Sequence, residues 1–127
     1  MTAKSFKQIT QDLNQALTSF RKAAPDTMAG FSAMAKSAMA PGALDAVQKE
    51  LIALAIGIAA RCDGCLGFHI KALVKLGATR QQFIETLEVA TYMGGGPSLM
   101  YAAEAVRAWE EFGGEGATEL KAVATAG

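Results

Sequence analysis

The sequence predicts an all-α protein: a single-domain bundle of about six helices over residues 1–127 that assembles as an oligomer. Three observations predict it. Alanine, leucine and methionine recur at helical spacing, and no stretch alternates as a strand would. Proline, glycine and capping residues punctuate the chain at helix-length intervals. Apolar residues and glycine together, leaving out tyrosine, are about 60% of the chain, against a typical ~45–50%. A small domain has much surface, so the surplus points to subunit interfaces.

A first helix is expected from about Ser5 to Lys22, with Phe6, Ile9, Leu13, Leu17 and Phe20 as its apolar stripe. Pro25 ends it, and Asp26 is the expected cap of a second helix over about Thr27 to Met39. Pro41-Gly42 breaks the pattern. A third helix runs from near Ala43 to about Ala60, and its second half is apolar nearly all round, which predicts complete burial.

The fourth helix starts in Cys62-Asp63-Gly64 and ends at Gly77, a suitable C′ residue. Thr79 caps a fifth, with Gln82 completing a capping box, and Phe83, Leu87, Ala90 and Thr91 carry it to Met93. Gly94-Gly95-Gly96 interrupts, and Pro97 suits the first position of a sixth helix that reaches about Phe112. The Gly/Ala-rich tail is expected to fray, with a short turn over Thr118 to Val123.

Charge excludes several classes. Twelve basic and twelve acidic residues leave no net charge, so nothing suggests nucleic acid. Residues 1–42 carry +3 and residues 43–127 carry −3, too weak an asymmetry to identify a partner. The longest apolar run, Leu51 to Ala60, is about ten residues, well short of the ~18 of a membrane span. The N-terminus has no signal-peptide pattern, and the expected location is cytoplasmic.

The chemistry concentrates in Cys62-Asp63-Gly64-Cys65-Leu66-Gly67-Phe68-His69, which holds both cysteines and the single histidine. On a helix, Cys62 and Cys65 sit at i,i+3 and Cys65 and His69 at i,i+4, so all three share one face. In a reducing compartment such a Cys-x-x-Cys is a reactive pair sooner than a structural disulfide. The helix start lowers thiol pKa values and favours Cys62, whereas the imidazole one turn away favours Cys65. The spacing leaves open which sulfur attacks.

Zinc is the competing chemistry, with Cys62, Cys65 and His69 as three ligands and Glu50 as a fourth. A purely structural pair is the other alternative. Closing so small a loop would stabilise by only ~2 kcal/mol. Glu50 itself, just before the apolar run, is either a surface acid beside Lys49 and Asp45 or a buried acid in need of a partner. In a simple hairpin turning at Cys62, Glu50 lies ~18 Å before the turn and His69 ~10 Å beyond it. Joining them therefore requires a kink or a steep crossing. Gly94-Gly95-Gly96-Pro97-Ser98 resembles a phosphate cradle, but no strand precedes it and no Gly-Lys-Ser/Thr follows. The methionines and Trp109 are expected in the core or an interface.

Glu50, eleven residues, then Cys62-x-x-Cys65-x-x-x-His69 resembles the motif of the alkylhydroperoxidase D-like proteins of the carboxymuconolactone decarboxylase superfamily. Leu51-Ile52-Ala53-Leu54-Ala55, Ala72-Leu73-Lys75-Leu76-Gly77-Ala78-Thr79 and Gly94-Gly95-Gly96-Pro97 are similar too, so the resemblance covers roughly residues 43–112. It implies an all-α trimer or hexamer that reduces hydroperoxides with electrons from a cellular thiol or disulfide-reductase donor, needing no metal or organic cofactor. By position it makes Cys65 the peroxidatic thiol, Cys62 the resolving one, and Glu50 with His69 a proton relay. One departure stands out: Gly64 occupies the place of a second histidine, which shortens the relay. The Cys pair argues against lactone decarboxylation. A general disulfide reductase, a decarboxylase-like enzyme and a zinc-binding or structural assembly protein remain the alternatives.

Overall fold

A computed structural model describes residues 4–118 and contains, among them, six α-helices and no strand. They are α1 (Phe6–Ala23), α2 (Pro25–Met39), α3 (Ala46–Ala59), α4 (Asp63–Lys75), α5 (Arg80–Gly94) and α6 (Gly96–Glu111). Most of the turn expected over Thr118 to Val123 lies outside the described residues.

The helix ends follow local chemistry. Ser5, Asp45, Cys62 and Thr79 occupy the N-cap positions of α1, α3, α4 and α5, each accepting a backbone N–H from three residues on. Capping boxes close α3 (Asp45 with Gln48) and α5 (Thr79 with Gln82). The cap expected at Asp26 is a correction: Pro25 itself opens α2, since its fixed φ and missing N–H suit a first-turn position, and Asp26 lies inside the helix without capping it. α6 opens at Gly96, which places Pro97 second.

Four helices, α3 to α6, surround the core of Leu54, Ile58, Leu66, Ile70, Leu73, Phe83 and Trp109. Trp109 stacks on Phe83 with ring centroids 4.3 Å apart, and its indole N–H donates to the Glu115 carbonyl. α1 lies along α4, which has two glycines facing it. A Cβ on Gly67 would meet Thr10 Cγ2 at 2.6 Å, and one on Gly64 would meet Leu13 Cδ1 at 2.7 Å. The glycine-rich break serves packing: Gly94 has no room for a side chain because Ser98 is buried against it.

Burial corrects one expectation. The second half of α3 is not fully covered, since Ile52 and Ile56 (63% accessible) stand outward. α2 buries no residue at all, and Met34, Met93 and Met100 are exposed in the single chain. Ile52 and Ile56 of α3 line shallow apolar grooves with Val89 and Met93 of α5, and Tyr92 of α5 lines another with Leu99 of α6. No helix among the described residues is long and apolar enough to cross a membrane.

Candidate active site

The turn from α3 to α4 builds the site. α3 ends with Arg61 in the left-handed region (φ 55°). The Arg61 N–H then reaches the Ile58 carbonyl (3.1 Å) and the Cys62 N–H the Gly57 carbonyl (3.0 Å). This is the double closure of a Schellman motif, here with arginine where glycine is usual. Cys62 thus completes α3 and caps α4 at once. Its sulfur accepts the Cys65 N–H at 3.1 Å, which sets it among the unpaired donors of the helix start.

Cys62 and Cys65 are joined as a disulfide with Cα atoms 5.2 Å apart. In this oxidised state neither sulfur is a thiolate metal ligand. Among the described residues no three His, Cys, Asp or Glu side chains gather as a metal-holding group. α3 approaches Cys65 closely because residue 57 is glycine. A Cβ there would lie 2.9 Å from Cys65 Cβ, inside van der Waals contact.

His69 and Glu50 meet. His69 Nδ1 lies 2.6 Å from Glu50 Oε2, with the histidine about one-third exposed and the glutamate mostly buried. The pairing brings together two side chains that a simple straight hairpin would leave ~8 Å out of step. A carboxylate can only accept, so a neutral imidazole held this way would donate Nδ1–H to Glu50 and carry its lone pair on Nε2. Glu50 is therefore not the surface acid beside Lys49. Lys49 turns elsewhere and donates to the Ala38 and Ala40 carbonyls at the end of α2 (2.9 and 2.6 Å).

Further residues touch the motif without having been singled out from the sequence. Asp63, between the cysteines, pairs with Lys4 Nζ at 3.1 Å, and Lys4 also stands 3.5 Å from Glu104. Gly57 and Gly67 provide close approach. Gly57 carried a signal, since a glycine inside an apolar helical run costs stability unless packing requires it. Lys4 carried none.

The fold and site together define an all-α helical bundle with a Cys-x-x-Cys at a helix start and a Glu–His pair one turn on. The chain belongs to the carboxymuconolactone decarboxylase family, whose model matches residues 25–108. It is 38% identical over 95 residues to an uncharacterized protein of Cupriavidus necator, covering 75% of this chain and 84% of that one. It is 36% identical over 84 residues to an uncharacterized protein from the cox locus of Paracoccus denitrificans, covering 66% and 76%. Among solved structures, the apo form of a family protein from Legionella pneumophila superposes with a TM-score of 0.83 at 57% identity, covering 84% of this chain and 96% of that one. A family protein from Thermotoga maritima, for which a part in an antioxidative response has been raised as a possibility, superposes with a TM-score of 0.70 at 28% identity, covering 85% and 89%.

Proposed function

We propose that the protein is a thiol-dependent peroxidase that reduces hydroperoxides in antioxidant defence. The observation that carries this reading is the Glu50–His69 contact, which leaves a base on the same helix face as a cysteine pair able to close as a disulfide. Family membership and the antioxidative suggestion attached to the Thermotoga protein are in keeping with it.

In the reduced protein, His69 Nε2 takes the Cys65 thiol proton, and Glu50 stabilises the imidazolium that forms. The thiolate attacks the terminal peroxide oxygen. The O–O bond breaks, the departing alkoxide takes the proton back from His69, and Cys65 is left as sulfenic acid. The Cys62 thiol then attacks the Cys65 sulfur, water leaves, and the disulfide forms. A cellular dithiol donor returns two electrons and two protons by thiol–disulfide exchange. Each cycle converts one hydroperoxide to alcohol and water. The assignment of Cys65 as the attacking sulfur rests on the family resemblance, since the structure gives Cys62 the helix-cap position.

The same reading places the protein in the cytoplasm as a homotrimer or homohexamer. The outward apolar residues of α3, α5 and α6 support the oligomer, because that face is costly to leave in water. The experiment that tests the chemistry adds peroxide to the reduced protein. Wild type should form the intramolecular disulfide, and Cys62→Ser should stop at a dimedone-trappable sulfenic acid on Cys65. Trapping on Cys62 in Cys65→Ser, with peroxide still consumed, would reverse the roles. A disulfide that forms only with an oxidised dithiol, never with peroxide, would favour a general disulfide reductase.

A further inference from the structure

α1 lies outside the segment the family model matches, yet it reaches the redox motif. Its N-terminus is firmly held. The Glu111 carboxylate accepts the Ser5 hydroxyl (2.6 Å) and the Phe6 and Lys7 N–H groups (2.6 and 3.3 Å), and Arg107 donates to the Lys4 carbonyl at 3.2 Å. This clamp between α1 and α6 fixes the backbone of Lys4. Its ammonium then lies 3.1 Å from Asp63 Oδ2. The other Asp63 oxygen is buried and accepts no hydrogen bond among the described residues.

A carboxylate between two cysteines opposes thiolate formation at both. We infer that Lys4 is a positioning residue of the redox pair, which offsets the Asp63 charge and so keeps the thiols acidic and the disulfide readily reducible. The inference rests on the reading of Cys62 and Cys65 as a redox pair. The other charged groups in contact with this pair are Glu104 and, through it, Arg107, both from α6. Glu104 draws the same ammonium at 3.5 Å and is itself bridged by Arg107 at 3.1 Å, so one cation serves two acids. Burial works against the Lys4 charge, but Asp63 and Glu104 outweigh it and raise its pKa above the ordinary value. The ammonium therefore remains charged across the range in which the thiols titrate. Space for the arrangement comes from Gly64 and Gly67. In particular, Leu13 packs against the Gly64 position, where the resemblance would place a histidine.

The test is the pH profile of iodoacetamide alkylation of the fully reduced protein, with the modified cysteine identified by mass spectrometry. Lys4→Met should raise the apparent thiol pKa by about half a unit and slow alkylation at pH 7 about threefold. Lys4→Arg should retain the wild-type profile. Lys4→Met/Asp63→Asn should return to it, because the charge that needed offsetting is gone. Superimposable profiles for wild type and Lys4→Met would overturn the inference, whatever happens to the melting temperature. So would a shift that Asp63→Asn does not cancel, since Lys4 would then act through packing. No peroxide is used, so a wild type inert to peroxide would sink the peroxidase reading and leave this result standing on its own.

Discussion

Glu50 and His69, nineteen residues apart, are joined by a 2.6 Å contact between Oε2 and Nδ1 that ties α3 to α4 beside the disulfide. In the neutral imidazole, such a contact favours the tautomer with Nδ1–H toward the carboxylate and the lone pair on Nε2. Glu50→Gln keeps the size of the side chain and removes the charge that, in the proposed mechanism, stabilises the imidazolium. Stopped-flow oxidation of the reduced thiols should slow on the order of 10- to 100-fold, the range of acid–base assistance. His69→Ala should slow alkylation of Cys65 near neutral pH. An unchanged oxidation rate in Glu50→Gln, with an unchanged melting curve, would return Glu50 to a structural role.

Gly57→Ala should destabilise the protein. Alanine gains up to ~1 kcal/mol in helix propensity over glycine, but its methyl would meet Cys65 Cβ at 2.9 Å, and neither atom can rotate away. Overpacking of this kind costs about 1–3 kcal/mol, so the net change should be a loss, read as a lower midpoint in urea. Gly64→Ala makes the instructive contrast. Its clash is with the end of Leu13, a flexible and partly exposed side chain, so the loss should be smaller.

Much of this architecture was legible before the structure. The Thr79–Gln82 capping box, the cysteine cap of α4 and the Gly77 stop are local chemistry, and local chemistry can be read from spacing. The Glu50–His69 pairing was not derivable, because rise per residue describes straight rods and cannot anticipate how two helices cross. Lys4 escaped for a related reason. Its partners are Asp63 and Glu104, far along the chain, and no periodicity links them. The outward side of α3 was misread because hydrophobicity reports that a residue seeks cover and does not say whether its own chain provides it.

Acid should loosen α1 first. Burial tends to raise the Glu111 pKa, but the Ser5 hydroxyl and the Phe6 and Lys7 N–H groups together hold it below the ordinary carboxylate value. The folded protein is thus the weaker proton binder at this site. Its contribution is fully present above the ordinary value, ~4.3, and is lost as pH falls through the folded one. Glu111→Gln should cost about 1 kcal/mol at neutral pH, the size of a helix-capping interaction. The gap from wild type in denaturant unfolding should close as pH drops from 6 to about 3. A gap independent of pH would mean that the carboxylate charge does not matter.

The apolar outer face carries a prediction about assembly. Ile56, Tyr92 and Met93 are 63%, 84% and 75% accessible in the single chain. Light scattering at micromolar concentration should give a trimer or hexamer, and Ile56→Lys should shift it toward smaller species. A wild-type monomer would remove the interface argument.

The central claim is that the cysteine pair reduces hydroperoxides. Peroxide consumption should therefore be followed with a generic dithiol donor in excess, for wild type and for Cys65→Ser. The account predicts catalytic turnover by wild type and turnover abolished in Cys65→Ser. Equal consumption by the two proteins, or none by wild type above the donor alone, would contradict it.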